Sequence, residues 1–305
     1  MNQFYRTKEA ANRLEAEAKA IRAAMASQRT EVSQHLADLN VEEAMVIECG
    51  SGRKSWRICV PNPSDGIPDE VVFAVQGIIC RSNLVPTNVQ QKALRLTQHL
   101  EITGFETGVF EEAMTRLEIA QDIFAQHFCG LPVIRLSTPI GRTGRVLGAS
   151  NRLFTLKVDS PTEQGSEFQP GMDPLGALER LKTEELIHAP ENIVRYYKRS
   201  ADKERTSYDT SFPGIFRPGD VAEMHASLIA IQTGDKKIKV RAQATLKTGE
   251  LLIGQAATVE RILQKSRPTT TVEVRRRGIF EVYAAGRSSR RSIRGTEPVH
   301  DKEDQ

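Results

Sequence analysis

Hydrophobic positions follow more than one period along this chain of 305 residues. Near the N-terminus they recur at alternating spacings of four and three, which predicts one helix over residues 6 to 39 with a heptad seam. Such a helix either packs on its own domain or pairs with a second chain, and two polar seam positions favour the first arrangement. The seam consists of Leu14, Ala18, Ile21, Met25, Gln28, Val32, His35 and Leu39.

The middle of the chain mixes short apolar runs, which are typical of strands, with longer helical stripes. Two of the runs flank a glycine-containing turn at residues 50–54, which predicts a hairpin. One helical stripe begins at a predicted N-cap, Thr87, and a second ends at Gly130. The predicted strands are residues 43–49, 55–60, 71–75, 131–136 and 152–158, and the predicted helices are residues 87–103 and 110–129.

Between residues 159 and 172, Ser, Pro, Gln, Glu and Gly replace the apolar pattern, which indicates a linker or long loop. Asp173 and Pro174 then predict a helix that runs to about residue 183. After residue 192, short strand-like runs are separated by tight turns.

These patterns predict an α+β protein. We expect a helix-rich N-terminal region with a small sheet, and a C-terminal small antiparallel β-barrel or sandwich. The expected units are a helix at 1–40, an α+β region at 41–158, the linker at 159–172, a β-rich domain at 173–283 and a disordered tail, basic and then acidic, at 284–305.

Two features place the C-terminal strands. Phe216-Arg-Pro-Gly-Asp-Val221 puts Pro-Gly at the centre of a type II turn, where Asp220 can accept hydrogen bonds from the turn amides before a strand begins. Further on, apolar and basic residues alternate, and this period of two predicts one buried face and one basic, solvated face. The alternating residues are Ile238, Lys239, Val240, Arg241 and Ala242.

The composition, 39% hydrophobic and 27% charged, is that of an ordinary soluble globular protein. The longest apolar run, residues 71–80, is too short for a membrane span, which needs about 20 apolar residues. The N-terminus lacks the apolar core of a secretory signal. Four cysteines without zinc-ligand spacing suggest free thiols in a reducing compartment. We therefore expect an intracellular protein, nuclear or cytoplasmic, with no membrane contact.

Charge is distributed unevenly along the chain. The whole chain carries +3, yet residues 205–296 hold 17 Lys and Arg against 8 Asp and Glu. Such segregation is the electrostatic footprint of a protein that binds a phosphate backbone, and a face that only maintains solubility is the alternative. The few aromatic residues nearby argue against stacking of single-stranded bases. The candidate phosphate-binding residues here are Lys237, Lys239, Arg241, Arg275, Arg276 and Arg277.

Motifs for catalysis are weak. Ile140-Gly-Arg-Thr-Gly-Arg145 matches an arginine-finger motif of DEAD-box helicases, but the chain has no G-x-x-x-x-G-K-[ST] loop to hold phosphates. Arg142 and Arg145 are therefore candidates for phosphate contact only, and a tight turn with solvated arginines is the alternative. Glu223 and His225 share one strand face, as in some metal sites, but no matching second histidine follows. We expect both to be solvated, and we expect no metal site, cofactor or catalytic residue.

One stretch resembles a known family. Asn192-Ile-Val-Arg-Tyr-Tyr197, followed by the turn at residues 216–221 and its strands, is similar to an uncharacterised family of proteins abundant in mushroom-forming fungi. The resemblance covers roughly residues 173 to 260. Because that family has no assigned activity, the resemblance implies a eukaryotic intracellular protein of a multi-copy kind and no particular site.

Three functions follow from these patterns as hypotheses. The leading one is a non-enzymatic adaptor or nucleic-acid-binding protein, with nucleic acid or another polyanion held on the basic C-terminal face. The second is a structural protein that self-assembles into a homo-oligomer through the N-terminal helix and sheet edges. The third is an enzyme of a class that these motifs do not identify.

Overall fold

The structure, a computed structural model, describes residues 6–27, 33–49, 54–62, 66–85, 93–161, 163–202, 205–233, 237–248 and 258–260. Its α-helices in these ranges are α1 (Thr7–Ser27) and α2 (Gly108–His127). Its strands are β1 (Ser33–His35), β2 (Met45–Cys49), β3 (Ser55–Val60), β4 (Asp69–Glu70), β5 (Val72–Asn83), β6 (Thr97–Thr103), β7 (Val133–Ile134), β8 (Ile140–Gly141), β9 (Gly144–Arg152), β10 (Thr155–Leu156), β11 (Leu186–Ile187), β12 (Arg195–Asp202), β13 (Arg205–Thr210), β14 (Val221–Gln232), β15 (Ile238–Thr248) and β16 (Thr258–Glu260).

Strand β14 is central to a large, mainly antiparallel sheet. It pairs with β15 along most of its length, with β5 near its start and with β3 near its end. The main path of paired strands runs β13-β12-β16-β14-β5-β6-β9-β8. Because β14 follows the predicted linker while β3 and β5 precede it, strands from both sides of residues 159–172 lie in one sheet.

The two helices cover opposite faces of the sheet around β5. Successive residues of a strand point to opposite faces. Phe73 and Val75 belong to a large buried cluster that includes Phe110 of α2, whereas Ile78 packs in a separate cluster with Leu14 of α1. The heptad stripe of α1 is therefore directed, at its best-buried positions, onto the chain's own sheet.

The fold is mixed, with helices and a large antiparallel sheet, as the α+β prediction requires at that level. Within the described ranges the strands do not close into a barrel. Strands β14 and β15 instead extend the sheet that the N-terminal strands form. None of the helices in these ranges combines the length and the apolar character needed to cross a membrane.

The turn before β14 forms as its residue types predict. Gly219 has a φ of 101°, in the region that favours glycine, and the backbone amide of Arg217 donates to Asp220 Oδ2 at 2.9 Å. The hairpin over residues 43–60 is also confirmed, as β2 and β3.

Two predicted helices are wrong in part. The helix expected over residues 6–39 ends at Ser27, and Ser33–His35 instead form β1, parallel to β5. The helix expected over residues 87–103 is replaced at its C-terminal end by β6. Leu96 and Leu100 are both buried, and a spacing of four fits two strand repeats as well as one helical turn. The start of that predicted helix lies outside the described residues.

The helix predicted from Asp173 does not form either. Gly176 has a φ of 64°, which breaks a right-handed helix, and a single 3-10 turn follows at Glu179–Leu181. Asp173 Oδ2 accepts from the backbone amide of Glu179 at 2.8 Å, but the residue at the N-cap position of that turn is Leu178. The prediction of a helix capped by Asp173 is therefore wrong, although its carboxylate does accept one backbone amide of the short turn.

Candidate functional site

A cleft of about 460 Å³ lies between the loop at residues 169–170 and strands β12 and β13. Its walls carry one guanidinium, that of Arg195, and the hydroxyl groups of Thr210 and Ser211. None of its eight described lining residues is an Asp or Glu. Small-molecule sites commonly have volumes of about 300–1,000 Å³, and this lining favours a ligand with a negative charge.

Two glycines lie close to the side chain of Phe212. A Cβ on Gly171 would lie 3.2 Å from Phe212 Cβ, and a Cβ on Gly214 would lie 3.2 Å from Phe212 Cε2. Gly171 also has a φ of 81°, which side chains rarely adopt. Bare backbone therefore packs closely on this side chain, yet Phe212 remains 50% exposed and lines the cleft.

Strand β12 places Arg195 and Tyr197 in the cleft because the residue between them is an anchor. Tyr196 is fully buried, contacts the ring of Phe216 edge-on at 5.5 Å and donates its hydroxyl to Gln98. Burial raises the pKa of Tyr196, so its hydroxyl stays protonated as that donor. By alternation its neighbours point the other way.

Two details complete the cleft. Gln169 Oε1 is buried without a hydrogen-bond partner among the described residues. A buried acceptor without a hydrogen bond destabilises a fold by about 1–3 kcal/mol. Rotation of this amide towards a donor would therefore lower the free energy. The exposed Arg195 lies opposite Glu260 in the register of β12 and β16.

The basic residues predicted on β15 are only partly described. Ile238 and Val240 are each 1% exposed, whereas Lys239 is half-buried and Lys237 is exposed, so the predicted alternation holds over this stretch. Arg241 lies on β15, but its side chain is outside the described residues. Arg275, Arg276 and Arg277 lie outside the described residues as well.

The two arginines of the predicted glycine-rich loop have different surroundings. They lie on the hairpin of β8 and β9, where Gly144 has a φ of 91°. Arg142 is exposed, whereas Arg145 forms an ion pair with Glu118 of α2 and lies 3.9 Å from Glu111. The charge of Arg145 is thus compensated within the chain.

Glu223 and His225 are buried, so the expectation that they are solvated is wrong. Their exposures are 2% and 1%, because the face of β14 that carries them lies on the same side of the sheet as α1. His225 Nε2 is 2.6 Å from Glu223 Oε1, and Gln76 Nε2 donates to Glu223 Oε2 at 3.0 Å. His35 Nε2 lies 2.9 Å from Gln76 Oε1.

This buried polar chain has a defined direction. The backbone amide of Ala37 donates to His35 Nδ1 at 3.2 Å, which makes Nδ1 an acceptor and leaves Nε2 to carry the proton. His35 therefore donates to Gln76, and Gln76 donates to Glu223. Burial lowers the pKa of His35, which keeps it in this neutral form. The described residues hold no group of three or more His, Cys, Asp or Glu arranged for a metal ion.

Comparison of the chain with protein-family models, curated proteins and solved structures finds no match. Function is therefore inferred from the chain's own geometry and charge.

Sequence reasoning missed the cleft. Its walls come from three segments, around residues 169, 195 and 211, and only the fold brings them together. The pattern at residues 192–197 had indicated a strand without indicating which residues face a cavity.

Proposed function

We propose that this chain is a nucleic-acid-binding protein without enzymatic activity, and that the basic face of β15 contacts the phosphate backbone. The observation that carries the proposal is the alternation at the start of β15, where Ile238 and Val240 are buried while Lys237 is exposed and Lys239 is half-buried. A strand that is anchored by one buried face holds the lysines of its other face in defined positions.

The charge of the C-terminal part of the sequence favours the same interpretation. The segment from residue 205 to 296 has an excess of nine positive charges, and this exceeds the +3 of the whole chain. Phosphate contacts by lysine release condensed counterions, so the affinity of such a protein falls steeply as salt rises. A nuclear or cytoplasmic location belongs to this proposal, since nucleic acid is found in both compartments.

The arginines of the β8–β9 hairpin contribute unequally. Arg142 is exposed and remains a candidate phosphate contact. Arg145 would have to leave Glu118 before it could bind phosphate. We therefore assign the binding to β15 first, with Arg142 as a peripheral contact.

Binding isotherms of the full chain test this proposal. Duplex and single-stranded DNA and RNA are titrated at about 50 mM and about 200 mM salt. We expect salt-dependent binding that weakens when Lys237 and Lys239 are both replaced by Gln, and that changes much less when Arg290 and Arg291 of the tail are replaced by Gln. An affinity weaker than about 10⁻⁴ M for every nucleic acid, which is below ordinary non-specific binding, would overturn the proposal.

A further inference from the structure

The cleft beside β12 combines the groups that a nucleotide requires. Arg195 supplies a guanidinium, Thr210 and Ser211 supply hydroxyl groups, and Phe212 supplies a half-exposed ring. A guanidinium holds phosphate through paired, charge-assisted hydrogen bonds, and aromatic rings stack on bases. We propose that the cleft binds one unstacked nucleotide, with its phosphate at Arg195 and its base on Phe212.

The character of the walls selects this class of ligand. With one Arg and no Asp or Glu, the described lining favours an anion. Ile193 and Pro170 add apolar surface beside Phe212, which suits a flat and uncharged ring. A nucleotide has both parts. We choose a nucleotide over other aromatic anions on the basis of the function proposed above, because nucleic acid consists of nucleotides.

Half of the Phe212 side chain faces solvent. It is 50% exposed and lines the cleft. Two glycines give it close backbone neighbours, since a Cβ on Gly171 would lie 3.2 Å from Phe212 Cβ and a Cβ on Gly214 would lie 3.2 Å from Phe212 Cε2. An exposed aromatic ring in a cleft is suited to binding and contributes little to the core.

Gln169 gives the site a contact for the base. Its Oε1 lacks a partner among the described residues, and base edges offer N–H donors. Rotation of this amide into the cleft would satisfy both groups. Gln169→Leu keeps the size of the side chain and removes the acceptor, so this variant reports on recognition of the base.

Calorimetric titration of the full chain with the four common nucleoside 5′-monophosphates tests the proposal, with the corresponding nucleosides as phosphate-free probes. We expect the nucleotides to bind at least about tenfold more tightly than the nucleosides, and Arg195→Gln to remove that advantage. Phe212→Leu keeps an apolar side chain but loses the ring. We expect it to weaken binding of both probes at least about fivefold, the low end of the stacking contribution. Gln169→Leu should reduce the differences in affinity among the four bases.

Control variants separate this proposal from the function proposed above. Lys237→Gln with Lys239→Gln should leave mononucleotide affinity unchanged, as should Lys157→Gln at an exposed position that does not line the cleft.

The proposed nucleotide site is overturned if mononucleotides bind equally to the wild type, Arg195→Gln and Phe212→Leu. It is also overturned if mononucleotides do not bind at millimolar concentrations. Thermal unfolding of each variant confirms that it is folded. If oligonucleotides bind but mononucleotides do not, only the cleft proposal is contradicted. If mononucleotides bind the cleft and oligonucleotides show no salt dependence, the β15 surface falls instead.

Discussion

Gln76 Nε2 donates to Glu223 Oε2 at 3.0 Å, and the two residues lie 147 positions apart in the chain. They are also direct register partners on β5 and β14. A hydrogen bond between side chains therefore reinforces the backbone pairing at the point where the N-terminal and C-terminal strands meet. The polar chain continues on both sides, to His35 and to His225.

We expect Gln76→Leu to destabilise the fold by about 1–3 kcal/mol, because Glu223 and His35 each lose a buried hydrogen-bond partner. The free energy of unfolding in urea measures the effect. Gln164→Leu, at an exposed position, is the control and should change stability by less than about 0.5 kcal/mol. Equal effects of the two substitutions would mean that the buried polar chain adds nothing to stability.

Arg57 and Glu70 form a buried ion pair, with Arg57 Nη1 2.7 Å from Glu70 Oε1 and side-chain exposures of 11% and 2%. Burial by itself lowers the pKa of Arg57, but the charge of Glu70 and its other neighbours raise it overall, so the guanidinium stays charged. Arg57→Met should destabilise the fold by about 3–5 kcal/mol, because the carboxylate of Glu70 is left buried without its partner.

The double variant Arg57→Met with Glu70→Met should recover most of that loss, since apolar residues can replace a buried ion pair. The exposed pair of Arg6 and Glu9 is the control, and Arg6→Met should have an effect below about 1 kcal/mol. A double variant as unstable as Arg57→Met alone would contradict this account.

The burial of His188 should make the fold less stable in acid. It is 1% exposed, and its Nδ1 lies 2.7 Å from the carbonyl oxygen of Leu153, to which it donates. Burial lowers the pKa of His188 from 6.5 to about 4. As the pH falls, the unfolded chain binds a proton at His188 before the folded chain does. The free energy of unfolding should therefore be unaffected by His188 above about pH 6.5 and should fall between about pH 6.5 and about pH 4. The shift corresponds to about 3 kcal/mol.

Urea unfolding between pH 7 and pH 4 measures this dependence, and comparison with His188→Asn isolates it. Asparagine still offers an N–H to Leu153 but does not titrate, so the variant should lose less stability over that range. Asp220 titrates with the opposite sign, because burial raises its pKa to about 6, but it contributes equally to both proteins. Parallel pH curves for the two proteins would show that His188 does not cause the acid sensitivity.

A substitution at Leu14 tests the alternative that the seam of the N-terminal helix forms an interface between chains. It is 1% exposed and packs with Ile78 and Val221 of the same chain. Leu14→Ala should therefore destabilise the fold by about 2–5 kcal/mol without changing the mass in sedimentation. The exposed Lys8→Ala is its control. A variant that dissociates into smaller species while its stability stays near that of the wild type would assign the seam to an interface between chains.

The parts of the fold that local sequence predicts are those with local causes. The β2–β3 hairpin follows from its glycine-containing turn, the strand β14 begins after the Pro-Gly turn, and α2 follows from a clear apolar stripe. The helix predicted around Leu96 and Leu100 is wrong because the spacing of apolar residues does not distinguish a strand from a helix there. These residues form a strand because β6 pairs with β5 on one side and with β9 on the other.

Burial of polar residues was the harder problem. The period of two correctly placed Glu223 and His225 on one face of a strand, but the pattern contains no information on what covers that face. Their partner Gln76 sits in the apolar run of β5, where a single glutamine is an early sign of a buried hydrogen bond. The cleft at Phe212 depends on segments far apart in the chain, so no local pattern could have located it.

The salt dependence of nucleic-acid binding tests the central claim most directly. The logarithm of the affinity is measured against the logarithm of salt concentration for the wild type, for Lys237→Gln with Lys239→Gln, and for the charge-matched control Lys8→Gln with Lys157→Gln. We predict that the first pair of substitutions lowers the magnitude of the slope by about two, roughly one unit for each lost phosphate contact, and that the control pair leaves it unchanged. Equal slopes in all three proteins would contradict the assignment of the binding surface to β15.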